Sequence, residues 1–260
     1  SQPIANPTCH LQTKLLSAFS LLFLCVLCVR LLGATCDRSK SPLSSGQLFR
    51  ELPPMTALTA LSPLDGRYSR QVEPLRPIFS EYGLIRRRVL VELRWLEALA
   101  ADPAIAEVPS LSAEAIAFLR RLAEEFGEAQ AAEVKAIEAT TNHDVKAVEY
   151  WIKRQLATQP ELARVGEFVH FACTSEDINN LAYALMLKDA REGVLVAALT
   201  RVLMGLRTLA NDNAALPMLS RTHGQTASPT TLGKEIRNVV ARIERQFRQI
   251  EAQPLLGKIN

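Results

Sequence analysis

Between Glu176 and about Asn211 the apolar positions Leu195, Leu199, Val202, Leu206 and Leu209 recur at alternating spacings of four and three, and no proline interrupts them. From Pro229 to about Gln253, Leu232, Ile236, Val239, Ile243, Phe247 and Ile250 continue in the same way, while Lys234, Glu235, Arg242, Glu244, Arg245 and Arg248 supply a wet face. That spacing lines apolar side chains along one stripe of an α-helix. Helices of this length cannot cover their stripes inside a small domain, so they pack as a bundle or across subunits. The stripes predict an all-α protein, without significant sheet, that oligomerises through long helices.

The upstream pattern is helical too. Segment 80–101 places Leu84, Val91, Trp95 and Leu99 on one stripe, with Arg86, Arg87, Glu92 and Glu97 largely on other faces. Shorter helices are predicted near 112–126, 128–140, 144–157 and 160–171. Trp95, Trp151 and Phe168 are assigned to core packing, the usual place for aromatics at helical spacing. Ser228 is placed to cap a helix beginning at Pro229, and Thr174 with Asp177 three residues on approximates a capping box.

Composition separates the first 54 residues from the rest. The formal charge of +3 is already reached there, by five Lys/Arg against Asp37 and Glu51, so residues 55–260 balance and present no broad face for nucleic acid. Four of the five cysteines also lie in the first 36 residues. The body, with only Cys173, reads as a protein of a reducing compartment, the cytoplasm, and Cys173 as a buried small hydrophobe. Residues 15–29 are continuously apolar or small between Lys14 and Arg30, like the core of a secretory signal, and 37–54 has the Ser, Pro and Gly content of a linker. Two readings stand: a targeting or anchoring leader, or unrelated upstream sequence joined to a start at Met55. A membrane partner or a secretory or organellar address follows only from the first. After Pro254 the helical pattern stops, and Leu255–Asn260 begins something left incomplete.

Four polar runs carry the chemistry. Ser62–Tyr68 offers Arg67 and Tyr68; Thr140–Asp144 offers Asn142, His143 and Asp144; Thr174–Asp177 offers Thr174 and Ser175; Ser220–Gln225 offers His223. The last three stand just ahead of helical stretches, where free backbone N–H groups collect, so together they could grip a small molecule with several negative charges. His143 and His223 lie in polar turns, where imidazole can act as acid or base near neutrality, whereas His170 sits inside an apolar run. The body has no Cys-x-x-Cys, no His-x-x-x-His, no Gly-x-Gly-x-x-Gly and no Walker loop. The residues thus point to a cofactor-free reaction on an anionic metabolite.

From Met55 to Asn260 the chain resembles the N-terminal half of the bacterial adenylosuccinate lyases, a family of the fumarase/aspartase superfamily. The matching runs are Leu61–Tyr68, Thr140–Tyr150, Glu167–Asn180 and Leu219–Gln225, in that order. The resemblance implies a leader at 1–54 without counterpart, an N-terminal helical domain at 55–165 and the start of a central long-helix bundle at 166–260. It implies β-elimination of fumarate from adenylosuccinate, giving AMP, and from the succinyl-carboxamide intermediate of purine synthesis. Within it His223 matches the general acid. Arg67, Tyr68, Asn142, His143, Asp144, Thr174 and Ser175 match positions that hold the nucleotide and succinyl groups. His170 matches a neighbour of the phosphate.

The resemblance also implies a homotetramer whose active site draws on three subunits, and a general-base serine on a loop reading Ser-Ser-x-Met-Pro-x-Lys-x-Asn. No such loop occurs in these 260 residues. The expectation is therefore that the 260-residue chain alone is inactive. A sibling lyase acting on argininosuccinate or aspartate is the nearest alternative, favoured less by the Asn-His-Asp and Asp-Gly-Arg-Tyr runs. A non-catalytic helical fragment tethered by its leader is the other.

Overall fold

The computed structural model describes Leu58 and residues 60–259. The apolar run 15–29 and the linker 37–54 lie outside the described residues. Residues 1–55 and 56–260 form separate units, and only the second is described below.

The Ser80 hydroxyl accepts from the Gly83 amide at 3.2 Å and opens α1, Glu81–Ala101. Ser112 caps α2, Ala113–Glu124, in the same way. Then come α3, Glu128–Thr141, and α4, Asp144–Leu156. These four helices share one core, to which α1 gives Val89, Leu93 and Leu96, α2 Leu119, α3 Val134 and α4 Val148 and Ile152. Trp151 is its largest fully buried side chain. Its ring meets Phe126 edge-on at 5.1 Å and its indole N–H donates to Glu133 at 2.7 Å, so the polar end is satisfied. Truncating such a ring to Ala costs roughly 3–5 kcal/mol. Trp95 and Phe168 are half-buried against this core.

The predicted stripe of α1 needs correction. Its buried positions include Ile85, Arg88, Val89, Glu92, Leu96 and Leu99, while Leu84 is only half-buried. Packed on two sides, α1 takes Arg88 and Glu92 inward, and Glu92 is wholly buried.

The helix predicted over 160–171 is also shorter than expected. A single turn at Pro160–Ala163 and a 3-10 turn at Gly166–Phe168 give way to a loop in which His170 (φ 65°) and Ala172 (φ 58°) are left-handed. Two non-glycine residues in that region hold about 1 kcal/mol or more of strain each.

Helix α5, Ser175–Ala190, continues through a π turn at Arg191–Leu195 into α6, Val196–Asp212. This 38-residue run rises about 55 Å. Helix α7, Leu232–Ala252, returns antiparallel to it. At one end a Cβ on Gly233 would lie 2.3 Å from the Ala210 carbonyl oxygen, so only glycine allows this approach. Midway Arg207 pairs with Glu244 at 2.8 Å, and at the far end Arg191 donates to the carbonyls of Ile250 and Gln253. Leu195, Val202, Leu209, Val239 and Ile250 stay exposed, so one chain leaves much of both stripes uncovered.

Between α6 and α7 stands an antiparallel hairpin, β1 Pro217–Thr222 with β2 Gln225–Thr231. It is the only sheet among the described residues, and the fold class is helical as expected. It moves the start of α7, however. Ser228 and Pro229 belong to β2, the helix begins at Leu232, and Thr231 supplies the cap by accepting from the Lys234 amide at 3.2 Å. The cause is the two-residue turn at His223 (φ 49°) and Gly224 (φ 76°), whose paired positive φ values suit a tight hairpin.

Candidate functional site

The helix starts at 142–144 and 174–175 come together. Asn142 ends α3 in the left-handed conformation (φ 53°), which reverses the chain. His143 is the cap of α4, its Nδ1 accepting from the Lys146 amide at 3.2 Å. That bond requires an unprotonated Nδ1, leaving the neutral ring's proton on Nε2 as an outward donor. Thr174 caps α5, with the Asp177 carboxylate accepting from its amide and its hydroxyl, each at 2.8 Å. Thr174 thus behaves as the expected cap, whereas at 142–144 the capping group is the imidazole rather than Asn142 or Asp144.

Arg88 joins the two starts. Its Nη2 donates to Asp144 at 2.6 Å and its Nε to Asn179 at 2.9 Å. Beneath it Val91, Val145 and Ile178 form a small buried cluster, so α1 is the common wall of α4 and α5. Burial pushes the Asp144 carboxyl up, but the Val145 amide and the Arg88 guanidinium outweigh it and hold the group below the usual range.

A second charged layer lies alongside. Glu92 accepts from or shares a proton with His170 Nδ1 at 2.6 Å, and that hydrogen bond raises the His170 pKa against an opposing effect of burial. Lys146 and Lys153 clasp the buried Glu149 at 2.7 and 3.2 Å, and Lys153 extends to Glu167 at 2.8 Å. Burial pushes Glu149 up, and the two lysines outweigh it and keep it ionised. Cys173 is half-buried, and its thiol is pushed up to about 11, chiefly by burial.

Arg67 sits over the Tyr68 ring at 5.5 Å on an exposed turn, and neither side chain makes a hydrogen bond or ion pair among the described residues. His223 is at the exposed tip of the hairpin. The hairpin's base sits level with Ala210, because the Leu232 amide donates to the Leu216 carbonyl and Gly233 packs on Ala210. Ser175 is the other end of the 38-residue run. Even if the hairpin folded back along the helix, its reach of about 20 Å would leave about 30 Å between the His223 ring and Ser175. One chain does not bring them together. A cavity of about 850 Å³ among the described residues, a mostly apolar groove between α1, α5 and Leu255–Ile259, reaches the α5 start at Cys173 and Asp177 but is not lined by 142–144.

Arg88, Glu92, Lys146 and Asn179 were not among the expected site residues. The first two had a signal: with Ile85, Val89, Leu96 and Leu99 they keep one helical register, and charge in an apolar register marks a buried polar device.

A family profile described as Lyase matches residues 66–258. The chain belongs to this lyase family. Among lyases similar to it, the adenylosuccinate lyase of Vibrio cholerae (serotype O1, classical Ogawa 395) is 56% identical over 206 residues, covering 79% of this chain and 45% of that protein. The adenylosuccinate lyase of Escherichia coli K12 is 55% identical with the same coverage. The chain thus spans about half the length of the curated relatives it matches. A solved fumarate lyase from Mesorhizobium sp. BNC1 superposes with a TM-score of 0.54 at 21% identity, over 69% of this chain and 39% of that one, which places the fold among lyase helical bundles.

Proposed function

We propose that the chain carries part of the active site of an adenylosuccinate lyase. The reaction is β-elimination of fumarate from adenylosuccinate and from the succinyl-carboxamide aminoimidazole ribonucleotide, with no cofactor. The observation that carries this reading is the joining of two capped helix starts, 142–144 and 174–175, through the Arg88 guanidinium. Outward N–H groups and an imidazole donor beside one buried cation suit a ligand with a phosphate and two carboxylates. The name shared by relatives 55–56% identical to the chain supplies the substrate.

The roles follow from the chemistry. A base takes the Cβ proton, its electron pair forms the fumarate double bond, and the C–N bond breaks with its electrons on nitrogen. His223 then protonates the departing nitrogen as general acid. Asn142, His143, Asp144, Thr174 and Ser175 hold the anionic groups, and Arg67 and Tyr68 bring a further cation and a phenol to them. The C–N lyase centre is shared between copies in a homotetramer. The long span between His223 and Ser175 and the uncovered stripes of α6 and α7 support that assembly. The boundary between the N-terminal helical domain and the long-helix bundle falls near 165–166, and the setting is cytoplasmic.

The general-base serine loop is missing from these 260 residues, so the chain alone is inactive on this account. Purified chain is assayed for fumarate release from adenylosuccinate and, in parallel, from argininosuccinate, and for AMP binding by calorimetry. The reading expects AMP binding and no turnover. Full turnover of adenylosuccinate would contradict the missing base, and turnover of argininosuccinate would assign the sibling activity.

A further inference from the structure

Glu92 is wholly buried, and its Oε2 has no hydrogen-bond partner among the described residues. A desolvated carboxylate with one orphaned oxygen is a liability for folding that apolar side chains in the same register would avoid. Its one hydrogen-bond partner among the described residues is His170, at 2.6 Å through Nδ1, on a loop where His170 and Ala172 are both left-handed. The His170 side chain retains 18% exposure, and Nε2 makes no hydrogen bond among the described residues. Four residues on, Thr174 begins the α5 cap. The charged groups that act on His170 are Glu92 from α1 and Glu149 and Lys146 from α4; Asp177 of α5 is bound to Thr174.

We propose that Glu92 is a positioning residue for substrate binding: its carboxylate accepts from Nδ1–H of the His170 imidazolium and so fixes Nε2–H as a donor to an anionic group of the substrate at the mouth of α5. A buried carboxylate accepting from one ring nitrogen fixes the ring's orientation, assigns the Nδ1–H tautomer to the neutral form and favours the charged form, in which Nε2 also carries a proton. The strained loop holds the ring where this bond is possible. Glu92 touches no substrate itself. The anion role rests on the nucleotide reading above; the tautomer does not.

Nitrogen-resolved NMR of His170 in the full chain tests it. In the wild type, Nδ1 stays protonated across the titration, and inorganic phosphate and AMP both shift the Nε2 resonance. Glu92→Gln lowers the titration midpoint toward that of an ordinary histidine and weakens AMP roughly tenfold, with adenosine, which lacks the phosphate, unaffected. Glu92→Asp restores part of both. The proposal is overturned if neutral wild-type His170 carries its proton on Nε2, a result that needs no variant to fold. It is equally overturned if Glu92→Gln leaves the midpoint and AMP affinity unchanged while AMP still binds, and then the nucleotide reading stands. If neither phosphate nor AMP perturbs the wild type, the nucleotide reading and the anion role fall together.

Discussion

Arg88 and Asp144 meet at 2.6 Å across the α1–α4 contact, with the guanidinium almost wholly buried and the carboxylate half-exposed. The pair is asymmetric: Arg88 has given up water and Asp144 has not. Through Asn179 the same guanidinium also fixes α5.

Removing Asp144 should therefore cost more than its exposure suggests. Asp144→Asn leaves a buried cation with one weak partner, and we expect a loss of about 2–3 kcal/mol in urea unfolding. Replacing Arg88 and Asp144 together, as Arg88→Met with Asp144→Asn, should cost less than the sum of the singles. Additive losses in that double-mutant cycle would show that the pair does not couple the helices.

His143 has two separable duties. As the cap of α4 it should resist His143→Ala by about 1 kcal/mol, whereas His143→Asn, which can cap, should lose only a few tenths. Both variants lack the imidazole donor, so both should weaken AMP binding. An Asn variant that binds AMP like the wild type would leave His143 as a cap alone.

How these residues stood in the sequence follows from what each signal measures. Helices α1 to α4 and the long α5–α6 run were legible because their apolar spacing is set by a core or stripe. The hairpin was not. Its strands carry Thr and Ser on exposed faces with no alternating apolar pattern, and Ser228-Pro229 imitates a helix start, so only His223-Gly224 could signal the turn. At 142–144 the capping group is the His143 imidazole, which is not among the usual N-cap side chains, so residue type alone does not single it out. Charge alone sets Glu92 on another face of α1, whereas its register with Ile85, Val89, Leu96 and Leu99 puts it in the core.

Two pH dependences should oppose each other. The Asp144 pKa is below its unfolded value, so its contribution is present above about pH 4 and is lost as pH falls through the lower folded value. The His170 pKa is above its unfolded value, so the stability it adds is complete below about pH 6.5 and is lost as pH rises through the raised folded value. Unfolding free energies of wild type and Glu92→Gln, compared over this range, should differ most on the acidic side of neutrality and converge in alkali. A gap that widens with rising pH would contradict the pair.

Cys173, with its thiol pushed up to about 11, should alkylate about a hundredfold more slowly than an unperturbed cysteine near pH 8. Peptide mapping after iodoacetamide labelling reads this, with the unfolded chain as reference.

Gly233→Ala tests the α6–α7 contact. Helix propensity alone would favour alanine by up to about 1 kcal/mol, but the new Cβ would meet the Ala210 carbonyl, so the sign should reverse. A stabilised variant would show that the helices separate freely there.

On the proposed function, nucleotide chemistry needs more than one copy, because His223 and the helix starts of its own chain lie far apart. Spin labels at His223→Cys and Ser175→Cys, in a cysteine-free background, measure this by pulsed dipolar spectroscopy. Doubly labelled chain diluted in unlabelled chain should give only distances of about 30 Å or more, while a mixture of the two singly labelled chains should add a population near 20 Å or less. A short distance within one diluted chain, or none in the mixture, would contradict the claim.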